Sequence, residues 1–529
     1  MVEETRSHDK GNSPLANFII YAFIAAVAVL SLIPVLPNEF VYDDLPLIAH
    51  NPHIRDFSNV KRFFSTDYFD LTGERTFRPV TSFTYFLDAR IWGVRPFGFH
   101  VTSILLHAIT TLLVLAIAKR SLTGFLPALA AAALFSLHPL AVEPIAGMSF
   151  REDLLAAAFC TASLLAFLKW RDRGSAPFLA FSWLLYLLAL FSKESAGALP
   201  VVIFLICIAS HRKKRLRQTI IAMSGYAAIA AAFIVCYFLM LHGGERLGRY
   251  PGGGPLGAAP VMIATFGKYL KLFVNPANLC LEYPAQSISW TDTDFILSTA
   301  VLVILLVSGI AARRRLPAYS FGIALFFTCL IPISNLLPFG AVMANRYMYL
   351  PMTGLCIATG GIISFLEGGS KNRPYHARFI ILLAVFFFFI AATVKTRIDQ
   401  ISIWENSVTL WGNTSACCPT CPRAHTNYGI ALLNAEKYED AIVPLETAVS
   451  LDSHYEALNA LGTAYLHTRQ WGRAINSFSK ASVRHPTSPF PPYNAGIAMM
   501  KKGDGQQALI WFRKSLDISP GFVPALYNS

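Results

Sequence analysis

The chain has 529 residues, of which 54% are hydrophobic and only 14% are charged. A soluble protein carries about a quarter charged residues, so this deficit predicts that lipid solvates much of the surface. The net charge of +13 arises in the apolar region, because from Thr396 onward 11 Lys and Arg accompany 10 Asp and Glu. Short basic clusters between apolar runs are typical of a membrane protein and argue against a nucleic-acid partner.

Eleven apolar runs approach the ~20 residues that a membrane-crossing helix needs. The predicted spans are 15–36, 98–118, 123–142, 153–170, 177–192, 196–210, 219–241, 293–311, 317–337, 346–366 and 379–395. The first run lacks a convincing cleavage site, so we expect a retained span and not a signal peptide. A twelfth stretch, 261–275, is short and carries two lysines, which favours an interfacial or re-entrant helix. The glycine-rich segment 252–257 is interpreted as a flexible outer loop.

The basic clusters also predict the orientation of the spans. With a cytoplasmic N-terminus, all of them fall in cytoplasmic loops: Lys119–Arg120, Lys169–Arg173, 211–217, Arg313–Arg315 and Lys371–Arg378. The loop 37–98 and the C-terminal region then lie on the opposite side. We therefore expect an integral protein of a bacterial inner membrane with a periplasmic C-terminal region, or of the endoplasmic reticulum with a lumenal one.

The C-terminal region repeats itself. Gly429, Ala441 and Ala448 recur as Gly462, Ala474 and Ala481, and again as Gly496, Ala508 and Ser515. Small residues at these spacings, with aromatic residues such as Tyr438 and Trp471 between the helices, are typical of tetratricopeptide repeats. The predicted organisation is a membrane domain over 1–395, a connecting helical segment over 396–421 and about three repeats over 422–529. The fold class is all-α.

Nine cysteines are present, and six of them, including Cys280, lie singly in apolar runs, where we interpret them as small buried side chains. The other three are Cys417, Cys418 and Cys421. A local disulfide is favoured over a zinc site there, because a second pair of ligands is missing and His425 alone does not complete one. No metal site is predicted elsewhere in the chain.

The loop 37–98 begins with an adjacent acidic pair, Asp43 and Asp44. Neighbouring carboxylates repel each other, which can raise one pKa and separate the roles of base and binding group. The alternative is that the pair caps a short helix. Arg151 is the candidate ligand for a phosphate, because a guanidinium group binds two phosphate oxygens at once. Its alternative role is a salt bridge with Glu143, Glu152 or Asp153.

Further ionisable residues lie at the membrane ends on the same predicted side as the acidic pair, where such residues often mark a substrate path. These additional candidates are Arg78, His100, His138, Glu143, Lys193, Glu194 and Arg346. His107 lies on the same helix face as His100, and helix packing is the favoured role for it.

The order of "YDDLPLI", "RPVTSFTYFLDARIWG", "LFSLHPLAVEPIAGMSFREDLLAA", "FSKESAGALP" and "NRYMYLP", followed by repeats, resembles the transmembrane-and-tetratricopeptide-repeat O-mannosyltransferases of the GT-C class. The resemblance implies a polyprenyl-phosphate sugar donor, a Ser/Thr hydroxyl acceptor, inversion at the sugar carbon and no metal or other cofactor. It also implies that Asp43 is the base and Asp44 its partner, and it carries over Arg346 as a site residue. A cationic group must neutralise the leaving phosphate, and on that chemical ground Arg151 is the first choice, with Lys193 and Arg346 as its candidate partners. The chain departs from the family in its short repeat array and in having Asn345 before Arg346.

Two other functions stay open at this point. A polymerase or ligase of surface polysaccharide also uses lipid-linked sugars, but its large outer loop comes late in the membrane domain, whereas here it comes early. A non-catalytic scaffold would need a single span to anchor its repeats. In the favoured interpretation the repeats bind the acceptor polypeptide or a partner protein.

Overall fold

The computed structural model describes residues 14–72, 76–209, 216–240, 250–284, 287–336, 338, 341–368 and 376–528, and the regular elements of these ranges are all helices. The chain forms two compact units. The first comprises residues 1–279 and 285–405, and the second comprises 280–284 and 406–529. The all-α prediction is confirmed. Most of the predicted basic loops 211–217 and Lys371–Arg378 lies outside the described residues.

The first unit contains fifteen α-helices in its described part. They are α1 (Pro14–Leu30), α2 (Tyr68–Thr72), α3 (Pro79–Trp92), α4 (Pro96–Ser121), α5 (Phe125–Leu137), α6 (Val142–Ala146), α7 (Arg151–Arg173), α8 (Ala176–Ser192), α9 (Leu199–Ile208), α10 (Leu216–Met240), α11 (Pro255–Val274), α12 (Thr293–Ala311), α13 (Pro317–Leu330), α14 (Pro351–Gly368) and α15 (His376–Ile403).

Five helical segments are long and apolar enough to cross a membrane: Pro14–Val35, Pro96–Ser121, Met148–Arg173, Leu216–Met240 and Thr293–Arg314. One bent helix pair and four shorter apolar helices match five more of the predicted spans. The last predicted span, 379–395, lies within α15. The described part of the chain is therefore that of an integral membrane protein, and the number and orientation of the spans stay predictions.

The predicted span 123–142 is not one continuous helix. It bends by 52° between Phe125–Leu137 and Pro139–Ala146. Pro139 has no N–H to continue the helix, and the Leu140 N–H donates to His138 Nδ1 instead of a backbone carbonyl. The Ser136 carbonyl accepts hydrogen bonds from Arg397 and His107 instead.

The helices α4 and α7 place their basic ends together. Arg120, at the end of α4, pairs with Asp172 and donates to the Leu168 carbonyl near the end of α7. The opposite ends of both helices carry His100 and Arg151. The 23 residues of α7 span about 35 Å, which is enough to separate its two ends by a bilayer core.

The prediction of a flexible loop over 252–257 is wrong for the second half of that segment. Residues 255–257 form the first turn of α11, with Pro255 at the first helical position. Proline is favoured there because its ring fixes the φ angle of a helix and the missing N–H is not needed. Gly252 and Gly253 have φ angles of 76° and 83°, so glycine is required at the turn that precedes the helix.

The second unit is built from helix pairs. Its helices are α16 (Ser407–Cys417), α17 (Pro422–Asn434), α18 (Tyr438–Leu451), α19 (Tyr455–His467), α20 (Trp471–Arg484), α21 (Phe490–Lys502), α22 (Gly505–Ile518) and α23 (Val523–Asn528). In each of three pairs a glycine of the first helix packs against a large side chain of the second: Gly429 on Leu445, Gly462 on Phe478 and Gly496 on Phe512. This spacing of 16 residues confirms the predicted repeats.

The aromatic residues Tyr438 and Trp471 do not occupy these crossings. Each is the first residue of the second helix in its pair. The Tyr438 ring stacks on His467, with 4.1 Å between the ring centroids, so it packs against the last residue of α19.

Two disulfides lie in the second unit. Cys418–Cys421 is the predicted local bond, and Cys280–Cys417 joins residues 137 positions apart. Our interpretation of Cys280 as an unpaired buried side chain is therefore wrong. Arg423 Nε lies 2.7 Å from Glu282 Oε1, so an ion pair also holds the segment 280–284. Sequence spacing could not reveal either long-range pair.

Candidate active site

Asp44 is buried, and it anchors the start of the loop 37–98. Its Oδ1 accepts a 2.6 Å hydrogen bond from the Ser149 N–H, and its Oδ2 accepts one of 3.2 Å from the Val41 N–H. Its side chain makes no capping bond to the helix that follows it, Leu45–Ala49. Asp44 therefore ties the loop to the segment before α7, and the alternative of a local helix cap does not describe it.

Burial raises the pKa of the Asp44 carboxyl to about 7, although the N–H groups of Ser149 and Val41 lower it. Asp43 is only half-buried, and its carbonyl accepts from the Leu47 N–H. The preceding residue, Tyr42, has a φ angle of 52°, a left-handed conformation that a bulky side chain rarely adopts. The local backbone thus gives adjacent carboxyl groups different environments, one buried and one closer to solvent.

Seven of the charged residues form a set of ion pairs that we call the charged cluster. Arg78 reaches Glu152 at 2.6 Å and Glu194 at 2.8 Å. Lys193 lies 2.6 Å from Asp153 and 3.5 Å from Glu152. Arg346 lies 2.6 Å from Glu143. The charged cluster therefore consists of Arg78, Glu143, Glu152, Asp153, Lys193, Glu194 and Arg346.

Five segments of the chain supply this cluster, and Glu143 comes from α6. Arg78 immediately precedes α3, and Glu152 and Asp153 lie in the first turn of α7, where carboxylates favour the positive end of the helix dipole. Lys193 follows the last residue of α8. Arg346 lies in the short helix Asn345–Met348 before α14. The structure therefore brings charged residues from the ends of separate helices together.

Phe150 connects the charged cluster to the acidic-pair loop. The Arg346 guanidinium lies 3.9 Å from the centroid of the Phe150 ring, and the Tyr42 ring lies 6.0 Å from the same ring. Cation–π contact of this kind holds an arginine flat without using its hydrogen-bond donors. Arg346 and Arg78 keep 15% and 14% of their side-chain surface exposed, so both stay accessible to a ligand.

Arg151 does not occupy the position predicted for it. Its side chain is fully buried, 2.6 Å from Asp88 Oδ2, and it donates to the Phe99 carbonyl at 3.0 Å. Its guanidinium also lies between the rings of Tyr85 and Phe99. The alternative partners Glu143, Glu152 and Asp153 are wrong as well. Because its side chain is fully buried and paired with Asp88, Arg151 holds α3 against α7 and presents no exposed donor to a phosphate.

The two candidate histidines, His100 and His138, and the neighbouring His107 make contacts away from the charged cluster. His100 Nε2 lies 3.2 Å from the Asn38 carbonyl, and His138 Nε2 lies 2.9 Å from the Phe273 carbonyl. His107 bonds the Tyr349 hydroxyl at 2.8 Å, which agrees with its predicted packing role. These contacts join helices, and none places a histidine in the charged cluster.

Sequence reasoning missed Tyr85 and Asp88, which lie on α3 within the loop 37–98. Thr81, Tyr85 and Asp88 are spaced so that they share one helix face, and all three are buried. The sequence shows the helical spacing of these polar residues but not their burial, so the spacing is the signal that could have identified them. Within the described ranges, no group of three or more His, Cys, Asp or Glu side chains is arranged to hold a metal ion.

Fold and site together define an all-α integral membrane protein with tetratricopeptide repeats and a buried network of ion pairs beside an acidic pair. A sequence model of the family described as dolichyl-phosphate-mannose-protein mannosyltransferase matches residues 78–238. That match contains most of the charged cluster.

Most of the chain is similar to curated relatives. It is 26% identical over 470 residues to the protein O-mannosyl-transferase F38B6.6 of Caenorhabditis elegans, covering 85% of this chain and 64% of the relative. It is 27% identical over 516 residues to the human protein O-mannosyl-transferase TMTC1, covering 84% and 56% respectively. The predicted resemblance is confirmed. The chain spans less than two thirds of the length of either relative.

Among solved structures, ArnT from Cupriavidus metallidurans bound to undecaprenyl phosphate aligns with 96% of this chain and 80% of its own, at a TM-score of 0.38 and 13% identity. YrrB, described as a tetratricopeptide-repeat protein with an unusual peptide-binding site, aligns with 31% of this chain and 94% of its own, at a TM-score of 0.21 and 18% identity. Similarity at these scores carries no functional information.

Proposed function

We propose that this protein is a membrane glycosyltransferase that moves a sugar from a polyprenyl-phosphate donor to Ser or Thr hydroxyls of proteins, with inversion at the sugar carbon. The relatives are named protein O-mannosyl-transferases, which makes mannose the sugar we propose. One observation carries the proposal: the segment 148–153 bonds the acidic-pair loop on one side and contributes two carboxylates to the charged cluster on the other.

Asp43 is the proposed catalytic base. An inverting transfer needs a carboxylate that takes the acceptor proton while the phosphate leaves from the opposite face of the sugar. Asp43 is half-buried and can meet an incoming hydroxyl, whereas Asp44 is enclosed and engaged by two backbone N–H groups. Asp44 is therefore the partner that fixes the loop, as the resemblance implied.

Arg346 is the proposed ligand of the leaving phosphate. It is partly exposed, and among the described residues no hydrogen-bond partner faces its Nε. A phosphate would satisfy that donor and share the guanidinium charge with Glu143, with which Arg346 is already paired. Arg78 and Lys193 supply further positive charge, and they too are paired with carboxylates. With guanidinium groups stabilising the leaving group, we propose a reaction that needs no metal or other cofactor.

We further propose that the repeats bind the acceptor polypeptide on the non-cytoplasmic side of the membrane. The two disulfides of the second unit support that side, because such bonds persist in oxidising compartments. Within the repeats, the Asn494 amide donates to the Asn459 side chain from α21 to α19. Amide groups on successive first helices can hydrogen-bond an extended peptide backbone.

The central test supplies the purified protein with labelled polyprenyl-phosphate mannose and, separately, with pyrophosphate-linked sugars. We expect transfer to Ser/Thr-containing polypeptides from the monophosphate donor only. Arg346→Ala should weaken donor binding and lower turnover, while Arg62→Ala, which removes an exposed ion pair with Asp67, is the matched control. Glycan extension from a pyrophosphate donor would favour a polysaccharide polymerase or ligase, and no transfer from any donor would favour a scaffold.

The acceptor role of the repeats has its own test. Asn459→Ala with Asn494→Ala should raise the KM for protein acceptors and leave transfer to a short hydroxyl peptide unchanged. Gly472→Ala is the control, since the added Cβ would meet nothing within 4 Å. Equal loss with both acceptors would mean that the repeats do not select the acceptor.

A further inference from the structure

The buried face of α3 is polar, which is unusual for a helix that packs against membrane helices. Thr81 donates to the Ser192 carbonyl at 3.1 Å, and Asp88 pairs with Arg151 at 2.6 Å and accepts from Thr102 at 2.7 Å. Burying these polar and charged groups costs desolvation free energy, which apolar side chains at the same positions would avoid. Directional bonds fix a helix in one position more narrowly than apolar packing does, so this face suits a positioning element.

Tyr85 lies in the middle of that face, and its hydroxyl reaches the segment that also binds Asp44. Tyr85 Oη lies 2.9 Å from the Ser149 carbonyl and 3.2 Å from the Met148 carbonyl. The N–H of Ser149, which belongs to the same peptide unit as the Met148 carbonyl, donates to Asp44 at 2.6 Å. The hydroxyl has a single proton and the Ser149 carbonyl is its nearer acceptor, so Tyr85 holds Ser149 by its carbonyl while Asp44 holds the same residue by its N–H.

We propose that Tyr85 is a positioning residue for the acidic pair, acting through Ser149. The proposal rests on the proposed transferase function and adds a residue to it. Because Tyr85 binds the Ser149 carbonyl and the Ser149 N–H binds Asp44, the hydroxyl fixes the orientation of the residue that holds Asp44. The Tyr85 hydroxyl thus sets the position of Asp44 and, through it, of the loop that carries Asp43.

A second arrangement keeps Tyr85 in place. The Arg151 guanidinium lies 5.1 Å from the centroid of the Tyr85 ring, and the same guanidinium forms an ion pair with Asp88. The ring of Tyr85 is thereby fixed by packing and the hydroxyl by hydrogen bonds. Removing the hydroxyl alone should leave the ring and its packing intact, which makes Tyr85→Phe a selective change.

The test compares Tyr85→Phe with Tyr226→Phe in the full-length protein. Tyr226 is the matched control: it is also buried, and its hydroxyl bonds Ser182 at 2.6 Å in a different part of the first unit. Loss of one hydrogen bond in the transition-state arrangement predicts a kcat about 3- to 10-fold lower for Tyr85→Phe. The KM for the polyprenyl-phosphate donor should stay within about twofold, because the phosphate ligands are untouched.

A double-mutant cycle with Asp44→Asn separates positioning from a general loss of stability. If Tyr85 acts through Asp44, Tyr85→Phe should have little further effect on kcat in the Asp44→Asn background. The same cycle measured on the apparent Tm should also be non-additive. Additive effects in both cycles, or equal losses of kcat in Tyr85→Phe and Tyr226→Phe, would overturn the proposal.

Failure of the proposed function gives a different result. If the parental protein transfers no sugar from any polyprenyl-phosphate donor, the transferase function fails, and the role of Tyr85 in transfer fails with it. A parental protein that is active while Tyr85→Phe matches it in kcat would overturn only the positioning role.

Discussion

In the first unit, α3 and the preceding Arg78 are held by ion pairs and hydrogen bonds to Thr102, Arg151 and Glu194, which lie between 14 and 116 positions from their partners. In the second unit, α19 is held to α20 by a glycine that admits a phenylalanine ring 16 positions later. The repeat crossing is local and apolar, so it depends on shape. The α3 contacts are long-range and polar, so they depend on charge. A protein needs the second kind of contact where reacting groups must be placed.

The largest loss of transfer activity is expected from a substitution of Asp43 in the first unit. Asp43→Asn keeps the size and most hydrogen bonds of the side chain but cannot accept a proton. General-base catalysis contributes roughly 10²–10⁴-fold, so the transfer rate should fall by about that factor while donor binding is retained. The measurement is single-turnover transfer alongside equilibrium donor binding. If Asp43→Asn and Asp44→Asn both fold and transfer at the parental rate, the acidic pair is not catalytic.

The next largest effect is expected at Arg151. Arg151→Ala leaves Asp88 buried without its ion-pair partner, which costs about 3–5 kcal/mol of stability when a buried pair loses one member. The apparent Tm in detergent and the yield of folded protein should both fall. Replacing both residues, as Arg151→Met with Asp88→Asn, should recover part of the loss. Arg62→Ala should cost less than about 1 kcal/mol, because that pair is half exposed.

These two predictions show what sequence could and could not supply. Hydropathy placed the apolar helices, and a 33- to 34-residue period revealed the repeats, because both signals lie in neighbouring residues. The membrane-end charges were also identified, since ionisable groups are rare in apolar surroundings. Their partners were not, because Asp88 and Arg151 are separated by more than 60 positions, and nothing local distinguishes Asp88 from Asp153 as the partner. Cys280 and Cys417 were missed for the same reason.

A smaller effect on stability is expected when the pH changes the ionisation of Asp44. Its folded pKa of about 7 lies above the ordinary value of 3.8, so the folded protein binds a proton that the unfolded chain has released between these values. The stability that Asp44 contributes is therefore fully present below about pH 4 and is lost as the pH rises through 7. Between pH 5.5 and 8, the apparent Tm of the parental protein should decline more steeply than that of Asp44→Asn. Parallel curves would mean that Asp44 stays ionised.

The smallest effect is expected from Gly462→Ala in the second unit, and the loss of stability should be confined to that unit. A Cβ on Gly462 would meet the ring of Phe478 closer than van der Waals contact allows. Overpacking of a core typically costs about 1–3 kcal/mol, so Gly462→Ala should lower the stability of the repeats by about that amount. Gly472→Ala should not, since that position is open.

A second substitution at Phe478, together with the location of the stability loss, tests whether the effect of Gly462→Ala is confined to the second unit. Leucine would not relieve the overlap, because a Cβ on Gly429 would meet Leu445 Cγ at 2.3 Å in the first repeat. Phe478→Ala removes the overlapping ring, so Gly462→Ala should add little further loss of stability in the Phe478→Ala background. Hydrogen exchange should show faster opening in α19 and α20 and unchanged protection in α4 and α7. Transfer to a short peptide should keep its parental rate, since the charged cluster and Asp43 lie in the first unit. If Gly462→Ala lowered that rate as much as Arg346→Ala does, the repeats would be part of the catalytic machinery, and the division between a shape-dependent and a charge-dependent region would fail.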